Sequence, residues 1–339
     1  MENAVSKDTN GWEAYYNVAW ILWSKNKYDL ALNAINIAIK EQPSFYRSYF
    51  LKGAIFKELR EYESGVVALN QAILAAEKDK QKDFLLYGVR GQLFGELKKY
   101  QEAIDGYTQA ITINPQLAQA YNNRGNAKSD LGDKKGAIKD YTQAITINPK
   151  DANAYYNRGI AKSDLGDEKG AIDDYKQAIT INPQLARAYV NRGIAKAQLG
   201  DAAGAIADFT QAITISPQYP EAYYNRGKAK SNLGDTAGAI DDYTQAITIN
   251  PQDPDAYNNR GNAKYNLGDT AGAIDDYTQA ITINPQLAQA YNNRGNAKDD
   301  LGDKAGAIDD YTQAITINPQ LAQAYNNRGN AKDDLGDKA

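Results

Sequence analysis

From residue 118 onward the apolar positions recur on a helical period, not on the two-residue period of a strand. In the block Ala118–Asp151 the first half places Tyr121, Gly125, Lys128 and Leu131 at helical spacing. The second half places Ala137, Ile138, Tyr141, Ala144 and Ile145 at i, i+1, i+4, i+7 and i+8, one face of a second helix. Between them, Gly132 stands where a left-handed C-terminal cap is needed, and Asp133 where it can cap the next helix. Pro149 ends the second helix because it has no N–H to donate into a further turn. The unit is therefore helix A, tight turn, helix B, stop.

The unit recurs. Pro115, Pro149, Pro183, Pro217, Pro251, Pro285 and Pro319 mark a period of 34 residues. A fixed period of that size predicts a stacked array in which each unit hides its apolar face against its neighbours. Carried backwards, the register takes in 84–117, 46–83 and 12–45. The stretch 46–83 is irregular, with EKDKQKD in place of a closing proline.

The pattern resembles the tetratricopeptide repeat, with a large residue at position 4 of each unit, small ones at 8, 20 and 27, an aromatic at 24 and proline at 32. Tyr121, Gly125, Ala137, Ala144, Tyr141 and Pro149 fill these positions in 118–151. The Asn-Arg-Gly run in helix A resembles the bacterial type. The resemblance implies an all-α fold, a right-handed superhelical solenoid of stacked helix-turn-helix repeats. It divides the chain into an extension (1–11), divergent repeats 1–3 with an apolar groove (12–117), near-identical repeats 4–9 (118–321) and a lone helix A (322–339).

Two departures stand out. Position 7, usually leucine, is arginine from Arg90 to Arg328, and position 11 is lysine from Lys128 to Lys332. A lone charge facing the inter-helix interior is costly. Position 23 offers a partner in Asp140, Asp174, Asp208, Asp242, Asp276 and Asp310. A ladder of Arg–Asp pairs is expected, against the alternative of solvated heads on buried stems; the lysines read as such stems.

The family resemblance also implies that helices A line a concave groove, with positions 2, 5, 6, 9, 12 and 13 pointing into it. Position 6 is Asn123, Asn157, Asn191, Asn225, Asn259, Asn293 and Asn327; position 9 adds Asn126, Asn262, Asn296 and Asn330. Each amide donates and accepts, so a ladder of them can hold the main chain of an extended partner. The alternative is a polar face copied by duplication. In repeats 1–3 the groove positions are apolar: Tyr16, Trp20, Trp23, Phe50, Leu51, Leu85 and Val89. Such a patch suits an amphipathic helix, unless residues 1–11 fold over it or it is an ordinary core. Asp299, Asp300, Asp333 and Asp334 make the groove acidic toward the C-terminus, which favours a neutral or basic ligand there.

Composition narrows the function. A net charge of −4 argues against a general nucleic-acid binder. There is no histidine and no cysteine, which removes the commonest general base and the commonest transition-metal ligands. Adjacent Asp pairs do not face each other on a helix and recur every unit, unlike a singular catalytic site. No enzyme activity, cofactor or metal is expected. No apolar run is long enough for a membrane span, and MENAVSKDTNGW has no apolar signal core, so the expected compartment is cytoplasmic. The expected function is a scaffold that binds a protein or peptide partner in its groove. Head-to-tail self-assembly into a homo-oligomer is the alternative, since the last helix copies an interior one.

Overall fold

The computed structural model describes residues 11–336, and among them nineteen α-helices and no strand. The chain divides into two units between Asp167 and Glu168. The first holds α1 (Gly11–Ser24), α2 (Tyr28–Glu41), α3 (Tyr46–Glu58), α4 (Tyr62–Lys78), α5 (Phe84–Glu96), α6 (Tyr100–Ile113), α7 (Ala118–Asp130), α8 (Lys134–Ile147) and α9 (Ala152–Ser163). The second holds α10 (Glu168–Ile181), α11 (Ala186–Gln198), α12 (Ala202–Ile215), α13 (Pro220–Asn232), α14 (Thr236–Ile249), α15 (Pro254–Asn266), α16 (Thr270–Ile283), α17 (Ala288–Asp300), α18 (Lys304–Ile317) and α19 (Ala322–Asp334). The expected extension at residues 1–11 lies outside the described residues apart from Gly11, which opens α1.

The local signals act as expected. Gly132 has φ +92° and Asp133 Oδ1 accepts from the Gly136 N–H at 2.9 Å, so one residue turns the chain and the next caps α8. In the first three repeats the left-handed position falls instead to Asn26, Arg60 and Lys98, at φ 56° to 60°. Arg60 and Lys98 carry a Cβ penalty there of roughly 1–2 kcal/mol. Asn148 leaves the helical region, at φ −127° and ψ 88°, as the following proline favours, and its N–H closes α8 on the Ala144 carbonyl.

Within each unit every helix packs on the one before and the one after. Within each unit, and among the described residues, helices A also touch the next helices A, while helices B do not come as close to each other. Each stack therefore curves with helices A on the inside. The close packing is set at position 8. A Cβ added at Gly125 would lie 2.7 Å from Tyr141 Cε1, and at Gly295 2.6 Å from Tyr311 Cε1. The aromatic ring rests directly on the backbone of the facing helix, and burial of each such ring contributes roughly 1.5–3 kcal/mol.

Candidate functional site

The arginine ladder forms. Arg124 donates from Nε and Nη2 to the two oxygens of Asp140 at 2.9 and 2.7 Å. Arg192–Asp208, Arg226–Asp242, Arg260–Asp276 and Arg294–Asp310 repeat the fork. The same guanidinium lies over the tyrosine one turn earlier, 5.4 Å away for Arg124 on Tyr121. Its Nη1 reaches back to a threonine of the preceding repeat, as from Arg124 to Thr108 and from Arg260 to Thr244. The arginine thus joins its own helix pair to the previous one.

The lysines at position 11 are more than buried stems. Lys128 Nζ lies 2.8 Å from Asp140 Oδ2, and Lys196, Lys230, Lys264 and Lys298 make the same bond to their own aspartates. Position 11 lies one turn beyond position 7, so both cations reach one carboxylate. The first arginine lacks this support. Position 23 of its repeat is Gly106, where a Cβ would lie 2.9 Å from Gly91 Cα. Arg90 Nε is buried without a partner, and desolvation lowers the pKa of its guanidinium.

The asparagines meet each other. Asn157 Nδ2 donates to Asn122 Oδ1 (3.3 Å) and Asn126 Oδ1 (3.1 Å), one repeat earlier. Asn293 binds Asn258 and Asn262 in the same way, and Asn327 binds Asn292 and Asn296. Tyr141, Tyr277 and Tyr311 hydroxyls donate to the position-9 amides Asn126, Asn262 and Asn296. The chain is broken where the preceding repeat offers no amide. Asn225 follows Val190 and Ile194 and donates back to the Glu221 carbonyl, while Asn259 takes the Tyr224 hydroxyl instead. Asn123 is bonded to Tyr107, and Asn191 is half-buried. In α19 Asn330 is exposed.

One expectation about the groove is corrected. In several of the later repeats position 5 does not face it: Asn122, Asn258, Asn292, Tyr156 and Val190 are buried, and the asparagine of the next helix A lies on Asn122, Asn258 and Asn292. Three of the four C-terminal acids have side-chain partners, and a single lysine among them leaves that end acidic. Lys304 Nζ lies 2.7 Å from Asp299 and 2.8 Å from Asp334, and Asp300 accepts from the Tyr265 hydroxyl. These bonds raise the pKa of Lys304 and of Tyr265 to about 12 each.

The apolar set divides. Leu51 is wholly buried with Ile35, Ala38 and Ile55, so it belongs to the core and not to a groove wall. Tyr16 packs edge-on against Phe45 at 5.3 Å. Trp23, Phe50 and Val89 are half-buried on clusters beneath them. Trp20 stays 46% exposed beside Trp23, and Leu85 is 47% exposed.

Two cavities adjoin on the inner face of the first unit, of about 170 and 240 Å³. Both are bounded by Gln92, Tyr107 and Asn123. Phe84, Leu85, Val89 and Leu117 make the first apolar; Glu96, Tyr100 and Asp130 make the second polar. A cavity of about 520 Å³ lies elsewhere, between Pro43, Tyr49, Leu74 and Lys78. Among the described residues no His, Cys, Asp or Glu cluster could hold a metal ion, and no helix is long and apolar enough to cross a membrane.

Consecutive helix pairs, closed in most repeats by a glycine–aromatic contact between helix A and helix B and stacked one on the next, define a helical-repeat scaffold. Models described as the TPR repeat and the tetratricopeptide repeat match residues 16–82, 91–132, 125–166, 152–185, 195–234, 232–268, 254–287 and 288–321. The chain belongs to the tetratricopeptide repeat family, whose members bind protein or peptide partners and are generally non-catalytic. No curated protein matches it. Among solved structures it is similar to a tetratricopeptide repeat protein from Parabacteroides merdae (20% identity, TM-score 0.55, covering 73% of this chain and 98% of that one). It is also similar to pilF of Pseudomonas aeruginosa (17%, 0.56, 63% and 97%) and to MamA (27%, 0.46, 49% and 96%).

Proposed function

We propose that this chain is a non-enzymatic cytoplasmic scaffold that holds a segment of a partner protein against the inner, helix-A face of its first unit. One observation carries the reading: that face combines exposed apolar side chains, Trp20 and Leu85, with a pair of adjoining cavities. The cavity at Tyr49 and Leu74 has Lys78 beside Asp79 at its rim and so favours neither sign of charge. The asparagine ladder extends the same surface. Asn126 Nδ2 and Asn157 Oδ1 have no partner among the described residues, and the two together match one peptide unit. The Asn-Arg-Gly run of these repeats is of the bacterial type.

The test is a random displayed-peptide library panned on the full chain. Selected peptides should bind the Leu74→Asp variant normally and lose binding to Leu85→Asp. Binding insensitive to Leu85→Asp, or lost with Leu74→Asp, refutes the reading.

A further inference from the structure

The paired cavities arise from the sequence of one repeat. At position 5, where other helices A carry Asn, Tyr, Val or Phe, α5 has Gly88; at position 12 it has Gly95. A Cβ at Gly88 would find only Ala110 Cβ, 3.9 Å away, and one at Gly95 would meet nothing within 4 Å. Missing side chains make the room.

The two chambers differ in chemistry. Leu85, Val89 and Leu117 give the first a wall that favours an aliphatic or aromatic side chain, worth roughly 25 cal/mol per Å² removed from water. The second sets Glu96 and Asp130 beside the rings of Tyr100 and Tyr107. Neither acid has an ion-pair partner among the described residues, unlike Asp164, which takes Lys134 Nζ at 2.6 Å. Glu96 acts on the phenol of Tyr107, which also borders the apolar chamber, so the two chambers share that ring. Uncompensated carboxylates next to aromatic faces are the surroundings that attract a guanidinium or ammonium group.

We infer that this double cavity is a specificity pocket for an apolar side chain next to an arginine or lysine on the bound segment. The inference rests on the proposed scaffold function and names the partner chemistry of that surface. The shared wall of Gln92, Tyr107 and Asn123 puts the two side chains within one or two residues of each other. The acids are exposed, so their contribution is screened by salt.

The experiment measures fluorescence anisotropy of labelled nine-residue peptides in a Gly/Ser host, centred on Phe-Arg, Phe-Glu or Ser-Arg, against the full chain. Phe-Arg should bind at least tenfold more tightly than either of the others at low salt. Glu96→Gln with Asp130→Asn should weaken Phe-Arg about fivefold and leave Phe-Glu unchanged or tighter. Gly88→Leu, which fills the apolar chamber where there is room for it, should weaken Phe-Arg at least tenfold with no fall in melting temperature. Equal binding of Phe-Arg and Phe-Glu, a preference for Phe-Glu, or indifference to Gly88→Leu overturns the inference. If none of the three peptides binds, it is also overturned. In each of these cases the library selection still decides the scaffold reading separately.

Discussion

The most direct test of the stacking energetics is Asp276→Ala. The Asp276 side chain is 4% exposed and carries three bonds: Arg260 Nη2 at 2.6 Å, Arg260 Nε at 2.9 Å and Lys264 Nζ at 2.9 Å. Its removal leaves two cations facing one pocket. Breaking a buried pair costs about 3–5 kcal/mol. Here the cations are 15% and 23% exposed and can turn toward water, and Arg260 keeps Thr244 and the Tyr257 ring. The loss should therefore lie at the low end, about 3 kcal/mol. Because a repeat stack loses stability locally, the loss should concentrate in α15 and α16. Native-state hydrogen exchange reads it as a fall in amide protection there of about a hundredfold, since ~1.4 kcal/mol is tenfold. Asp275→Ala, on an exposed neighbour, is the control and should change protection by less than about threefold. Replacing all three members together, with Arg260→Met, Lys264→Leu and Asp276→Leu, should restore most of the protection, because a packed apolar trio needs no charge balance. A fall below tenfold for Asp276→Ala, equal to that for Asp275→Ala, would refute the argument and place the cluster with weak surface pairs.

Further predictions follow from single contacts. Gly295→Ala should destabilise by about 1–3 kcal/mol, since Tyr311 cannot withdraw while its hydroxyl is held by Asn296. Gly329→Ala, in an identical helix, should stabilise by up to about 1 kcal/mol; urea denaturation gives both signs, and equal signs would contradict the packing. Lys98→Gly should raise stability by about 1 kcal/mol by relieving its φ of 56°; an unchanged urea midpoint would count against it. Burial raises the phenols of Tyr107, Tyr141, Tyr243, Tyr277 and Tyr311, and the bond to Asp300 raises Tyr265 to about 12. A folded-state value above the unfolded one near 10 keeps its full contribution below pH 10 and loses it as pH rises. Ultraviolet titration should show Tyr265 ionising near 12, moving toward 10 in Asp300→Ala, with stability falling above pH 10.

Much of the architecture was legible because it is local. The 34-residue period, the glycine turn at 132 and the proline stop at 149 act within a few residues of themselves, so spacing alone locates them. The Arg–Asp fork was legible too, since positions 7 and 23 belong to one helix pair. The second cation was missed because a lysine stem on a helix face fits either burial or pairing, and only the rotation of helix A about its axis puts Lys128 on Asp140. Position 5 was misplaced for a similar reason, as contact between successive helices A depends on the curvature of the stack. The double cavity had a weak signal in the unusual glycines Gly88 and Gly95, which say that side chains are missing but not what the space adjoins.

Residues 290–300 and 324–334 show where sequence stops. Both carry AYNNRGNAKDD within identical helices, and propensity and caps give them the same length and ends. In α17 Asn292 is 2% exposed and Gly295 lies under Tyr311, whereas in α19 Asn326 and Gly329 are exposed. Helix formation depends on bonds four residues apart, which the letters specify. Burial depends on which helices lie alongside, and that is decided only when the repeats stack.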